Sequence, residues 1–160
     1  MEWQRRLYGE FIKDQIPSAL DLPTGLGKTS VMAIWLIARA QGARLPRRLV
    51  YVVDRRAVVD QATAEAEKLR CNAKAALGLE KLAISTLRGH FVDNREWLAD
   101  PVAPAIIVGT VDMIGSRLLF SGYGVSPKMR PYHAGLLGAD SQPAWGTRRH
   151  RGEGHRRFGR

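Results

Sequence analysis

Ala19-Leu20-Asp21-Leu22-Pro23-Thr24-Gly25-Leu26-Gly27-Lys28-Thr29-Ser30 is the stretch that decides the fold. Ala19–Leu22 reads as a short strand running into a glycine-punctuated turn. Lys28–Gln41 is apolar nearly all round, as a helix buried against a sheet would be. Between them, Gly25 and Gly27 let backbone N–H groups curl around phosphate oxygens without a Cβ in the way. The helix that follows adds the partial positive charge of its N-terminus. In such a loop, Thr24 to Gly27 supply backbone donors. Lys28 reaches the outer phosphates of a nucleoside triphosphate, the Thr29 hydroxyl ligates Mg²⁺, and Ser30 opens the helix. ATP and Mg are therefore the expected ligands, with Thr29 as the metal contact through ATP. The alternative is a glycine turn that merely caps a buried helix. Leu22 stands where such loops usually carry their first small residue.

Working outward, apolar runs and helical patterns alternate, which predicts an α/β fold with a parallel sheet. Leu49–Val53 is an unbroken β-branched and aromatic run, as in a central parallel strand. Ala57–Leu69 places Val58, Ala62, Ala66 and Leu69 on one helical face. Leu82–Leu87 and Ala105–Val108 are further strand candidates, and Val111–Phe120 reads as a helix with Thr110 at its cap. Ser121–Pro131 is broken by Gly and Pro and predicts a loop, and Pro131–Gly138 predicts a short helix ending at a glycine.

The chain of 160 residues is long enough for one domain with a core. No apolar run reaches the roughly 18 residues of a membrane span, so no membrane partner is expected. The start, MEWQRRLYGEF, lacks the basic-then-apolar order of a secretory leader. With one cysteine, Cys71, neither an internal disulfide nor a cysteine-based zinc site is expected, and a reducing cytoplasm is the expected compartment. The formal charge of +10 points to a polyanionic partner. Half of it sits at one end: residues 141–160 hold six arginines and one acid, and residues 1–140 hold 19 basic against 14 acidic.

The order of these segments resembles the first lobe of superfamily 2 helicases, and most of all the CRISPR-associated helicase–nuclease of type I systems. Asp21–Ser30 is similar to that family's motif I, Val50–Gln61 to motif Ia, and Thr86–Gly89 and Val108–Phe120 to later first-lobe motifs. The resemblance covers about residues 3 to 140. It implies a RecA-like P-loop NTPase lobe with a parallel sheet, incomplete at its C-terminal end, in an ATP-dependent nucleic-acid helicase. It implies that Gln4 reads the adenine edge, since an amide pairs with both donor and acceptor; the alternative is a solvated helix glutamine. It implies that Arg55 and Arg56 grip a nucleic-acid backbone at a strand's carboxyl end, where the alternative is a solvated basic pair opening a helix. Gly109, Thr110 and Arg117 are implied as further backbone contacts, although Thr110 also reads as a plain cap. Asp112 reads as a first-turn acid and Arg88-Gly89 as a loop after a strand. The implied partners are single-stranded DNA and a CRISPR surveillance complex.

The next element in that family is a strand ending in Asp-Glu-Ala-His, whose acids hold Mg²⁺ and orient water. Ala139-Asp140-Ser141 is similar to its approach, but no Asp-Glu pair occurs in the sequence, so no catalytic residue is assigned. Residues 1–140 are therefore expected to form a partial lobe. Residues 141–160 are expected to form a disordered tail: Arg, Gly and His make up 12 of those 20 residues, and the abrupt change is compatible with a shifted reading frame. The expected behaviour is nucleotide binding without hydrolysis or unwinding. Two other readings remain: a non-catalytic nucleotide- or nucleic-acid-binding module, and a small P-loop kinase.

Overall fold

The computed structural model describes residues 1–88, 91–92, 96, 100 and 102–118, with the backbone alone at 88, 91, 92, 117 and 118. Three parallel strands and one short antiparallel strand form a single sheet. They are β1 (Arg48–Val53), β2 (Ala83–Arg88), β3 (Phe91–Val92) and β4 (Ala105–Thr110), in the spatial order β1-β4-β2-β3. The helices are α1 (Glu2–Ile12), α2 (Val31–Ala40), α3 (Arg56–Leu77) and α4 (Val111–Leu118), with a 3-10 turn at Lys28–Ser30 before α2. The mixed α/β architecture is that of a RecA-like lobe.

Strand alternation sorts the side chains onto two faces. Ile84, Ile106 and Val108 enter a core with α1, α2 and α3, through Leu7, Phe11, Met32, Trp35, Leu36, Val59 and Ala62. Ala83, Leu87, Ala105 and Ile107 face the other way and pack on Met113 and Ile114 of α4. Helices thus cover both faces, as parallel sheets require. Every residue of β4 is buried, and each fully buried Ile or Val contributes about 1.5–3 kcal/mol relative to exposure. This strand is the hydrophobic centre of the domain.

Several expectations are corrected. Ala19–Leu22 forms no strand. A strand exists only by pairing, and Pro17 and Pro23 remove donors on either side of this four-residue segment. The run around Leu49–Val53 is a strand, but among the described residues it pairs on one side only, with β4, and Val52 is 45% exposed. The central place expected of Leu49–Val53 is held by Ala105–Thr110 instead. The Lys28–Gln41 helix begins as the 3-10 turn and is α-helical only from Val31. The helix expected over Ala57–Leu69 runs on to Leu77, where Gly78 ends it with a left-handed φ of 64°. Val59, Ala62, Ala66 and Ala73 form its buried face, while Val58 and Leu69 are half-buried. β3 was not foreseen, and α1 was present only as the helix in the alternative reading of Gln4. Phe120, the loop Ser121–Pro131, the helix Pro131–Gly138 and the tail 141–160 lie outside the described residues. Among the described residues no helix is long and apolar enough to cross a membrane.

Candidate functional site

Parallel pairing brings three chain exits to one end of the sheet. Val53 of β1 stands beside Thr110 of β4, and Leu87 of β2 stands beside Gly109. Ligands of open α/β sheets bind at this carboxyl end. Here β1 releases Asp54, Arg55 and Arg56, and β4 runs directly into α4.

The glycine-rich turn adopts the conformation that its composition predicts. Gly25 has φ 88° and Gly27 φ 66°, and a Cβ at either would meet nothing within 4 Å, so the loop stands open. Thr24, Gly25, Gly27 and Lys28 are exposed, and Leu26, Thr29 and Ser30 half-buried. Ser30 closes the turn: its backbone N–H donates to the Gly27 carbonyl at 3.0 Å and its hydroxyl donates to the same oxygen at 2.8 Å. An exposed lysine, a half-buried threonine hydroxyl and an open run of backbone N–H groups ahead of a helix suit a phosphate with its cation.

Two contacts to this loop were not foreseen. The Gln4 amide Nε2 on α1 donates to the Ser30 hydroxyl at 2.8 Å, and the Gln4 Oε1 accepts from the Met1 ammonium at 3.2 Å. Gln4 thus lies at the loop, 26 residues away in sequence. Tyr51 of β1 is half-buried and lies near Thr29. Burial pushes the Tyr51 hydroxyl above its usual range, and the neighbouring Thr29 side chain partly offsets that shift. The available signal was parity: Tyr51 is the one polar-tipped residue in the run Leu49–Val53, and it shares its side of β1 with Leu49 and Val53, which pack into the core with α2 and α3. A cleft of about 580 Å³ runs between α1 and the segment entering the loop, lined by Trp3, Leu7, Pro17, Leu20 and Leu22 among others.

The residues expected to meet nucleic acid divide into two groups. Arg55 and Arg56 are exposed, and Arg55 lies 3.8 Å from the Asp54 carboxylate at a fully solvated position, where such pairs are weak. Arg55 is the extended N-cap of α3, and no side chain caps that helix; the Val58 N–H bonds back to the Arg55 carbonyl at 3.1 Å, which leaves the Arg56 and Ala57 N–H groups for an anion. Gly109 and Thr110 are buried. A Cβ on Gly109 would lie 3.0 Å from Leu87 Cβ and 3.1 Å from Ile114 Cδ1, so this glycine lets α4 close on the sheet. Thr110 does occupy the residue before α4. Arg117 lies in α4, and its side chain is outside the described residues. Asp112 is an exposed first-turn acid of α4, and Arg88 ends β2 rather than standing in a loop.

The family model for the type III restriction enzyme, res subunit, matches residues 1–128. No curated protein and no solved structure matches the chain.

Proposed function

The chain belongs to the type III restriction enzyme res-subunit family, and from that premise we propose that it holds MgATP as the nucleotide-binding lobe of a helicase-like motor. The observation that carries the reading is the open loop Thr24–Ser30, with both glycines left-handed, at the entrance of a buried helix. Lys28 serves the outer phosphates, Thr29 the magnesium ion, Gln4 the base, and Leu26 the loop backbone between the two glycines. When bound, MgATP supplies the phosphoanhydride whose cleavage drives such motors.

Arg55, Arg56 and the uncapped start of α3 form the nucleic-acid side of the lobe, and Gly109, Thr110 and Arg117 enter as further backbone contacts on the strength of the motif resemblance alone. Single-stranded DNA is the partner proposed, on the strength of the motif order at Val50–Gln61 and Val108–Phe120. The finer kinship with the CRISPR-associated helicase–nuclease, and with a surveillance complex as partner, is supported by the order of Asp21–Ser30, Val50–Gln61, Thr86–Gly89 and Val108–Phe120.

Phosphoryl transfer also needs carboxylates that fix the ion and the attacking water. The 160 residues contain no Asp-Glu pair, and this favours binding without turnover. Equilibrium titration with MgATP tests the reading: the wild-type chain binds, and Lys28→Ala loses binding by about 100-fold, in line with the loss of a charge-assisted contact to phosphate. Failure of the wild-type chain to bind overturns the lobe assignment. Phosphate release stays at background; turnover that Lys28→Ala abolishes overturns the non-hydrolytic part alone.

A further inference from the structure

We propose that Ser30 is a positioning residue that selects a 6-amino purine over a 6-oxo purine, by fixing which end of the Gln4 amide faces the base. The inference rests on the nucleotide-binding reading above and goes beyond it. A serine hydroxyl has one proton to give. The Gly27 carbonyl only accepts, and it lies 2.8 Å from Ser30 Oγ, so the proton goes there. The same oxygen is 2.8 Å from Gln4, and with its proton committed it only accepts. The amide group facing it must therefore be Nε2, and Oε1 must face away.

That polarity has a chemical consequence. The amide offers outward an acceptor, Oε1, and the second N–H of Nε2. Adenine presents the complement along its pairing edge, the 6-amino donor beside the N1 acceptor, whereas guanine presents the reverse there, the 6-oxo acceptor beside the N1–H donor. Oε1 meets a donor in adenine and a second lone pair in guanine. The structure shows the same preference: the group standing at Oε1 is a donor, the Met1 ammonium at 3.2 Å. Without the Ser30 hydroxyl the amide can turn end over end at little cost and serve either base.

The test is equilibrium binding of MgATP, MgGTP and magnesium tripolyphosphate to the full chain, as wild type, Ser30→Ala and Ser30→Thr. The wild type prefers MgATP by about tenfold or more, as a site whose amide polarity is mismatched to guanine should. In Ser30→Ala the preference falls to about twofold, and Ser30→Thr, which keeps the hydroxyl, retains it. Damage to the loop alone lowers all three ligands together and leaves the ratio intact, so a wild-type ratio in Ser30→Ala overturns the proposal. If Ser30→Ala does not fold, Ser30→Cys keeps the volume with only a weak hydrogen-bonding group and carries the same expectation. A wild-type chain that binds both nucleotides equally refutes the role of Ser30 and leaves the nucleotide-binding reading standing. A chain that binds none of the three ligands refutes both.

Discussion

Single residues at this site do work that their type alone does not announce. Gly25 and Gly27 are needed for their left-handed backbone, which is the reason their spacing identifies the loop. Gly109 is needed for a different reason, since the space a side chain would take is already occupied by Leu87 and Ile114. Gly109→Ala sets two effects against each other. The alanine reduces the freedom of the unfolded chain, which stabilises by about 0.4–1 kcal/mol. The contact at 3.0 Å is with Leu87 Cβ, an atom fixed to the backbone of a neighbouring strand, and overpacking of this kind costs about 1–3 kcal/mol. The steric effect wins, and Gly109→Ala is expected to lower the unfolding free energy by about 1 kcal/mol in urea denaturation. An unchanged midpoint would show that Ile114 and the strand yield more easily than this packing indicates. The same substitution leaves MgATP affinity unchanged, because Gly109 does not belong to the phosphate loop.

Between elements, the ties that matter join segments far apart in the chain. Thr63 on α3 and Thr86 on β2 share a hydrogen bond of 3.0 Å beneath the helix, and the Trp35 indole N–H donates to the Pro46 carbonyl at 3.1 Å. Arg39 donates to the Leu45 carbonyl and lies over the Trp35 ring, 5.8 Å from its centre. Asp14, after α1, accepts from the Arg44 backbone N–H at 2.6 Å and from its Nε at 3.0 Å, and so clips α1 to the turn between α2 and β1. The Arg44 backbone N–H, first, and then its side chain hold the Asp14 carboxyl below the usual carboxylate range. The sign follows directly: the folded state prefers the ionised form, so the clip stabilises above the unfolded carboxylate value of about 3.9 and is lost as pH falls through the lower folded value. Asp14 has φ 59°, a conformation asparagine also tolerates, so Asp14→Asn removes charge without adding backbone strain. Urea midpoints are expected to separate wild type from Asp14→Asn at pH 7 and to converge once the pH has fallen through the lowered Asp14 value. A gap that persists in acid would mean that the clip acts through shape and not through charge.

For the molecule as a whole, the charge of +10 and the topology act together. Long-range attraction to a polyanion comes from the net charge, but the contacts that displace counterions are local. Arg55 and Arg56 stand at the end of the sheet where β1, β2 and β4 finish in register. Each phosphate contact on a single strand contributes about 0.7 to the slope of log affinity against log salt, so Arg55→Ala with Arg56→Ala flattens that slope by about 1.4. A salt series with a labelled single-stranded oligonucleotide measures it. A slope that does not change places the contact surface elsewhere on the chain.

The sequence by itself determined the phosphate loop, because the left-handed turn, the lysine and the helix start are all encoded within Pro23–Ser30 and act over a few ångströms. It also determined the α/β alternation and the length of the apolar runs, which are properties of local periodicity. Only the tertiary structure decided that Ala105–Thr110 is central, that β1 has one described neighbour, and that Ala19–Leu22 pairs with nothing described. Strand order follows from which distant segments share hydrogen bonds, and no local pattern records that choice. The same holds for the site. Gln4 meets Ser30, and Tyr51 lies near Thr29, because α1 and β1 flank the loop in space. Their residue types told what chemistry they could perform, and packing alone decided on what they would perform it.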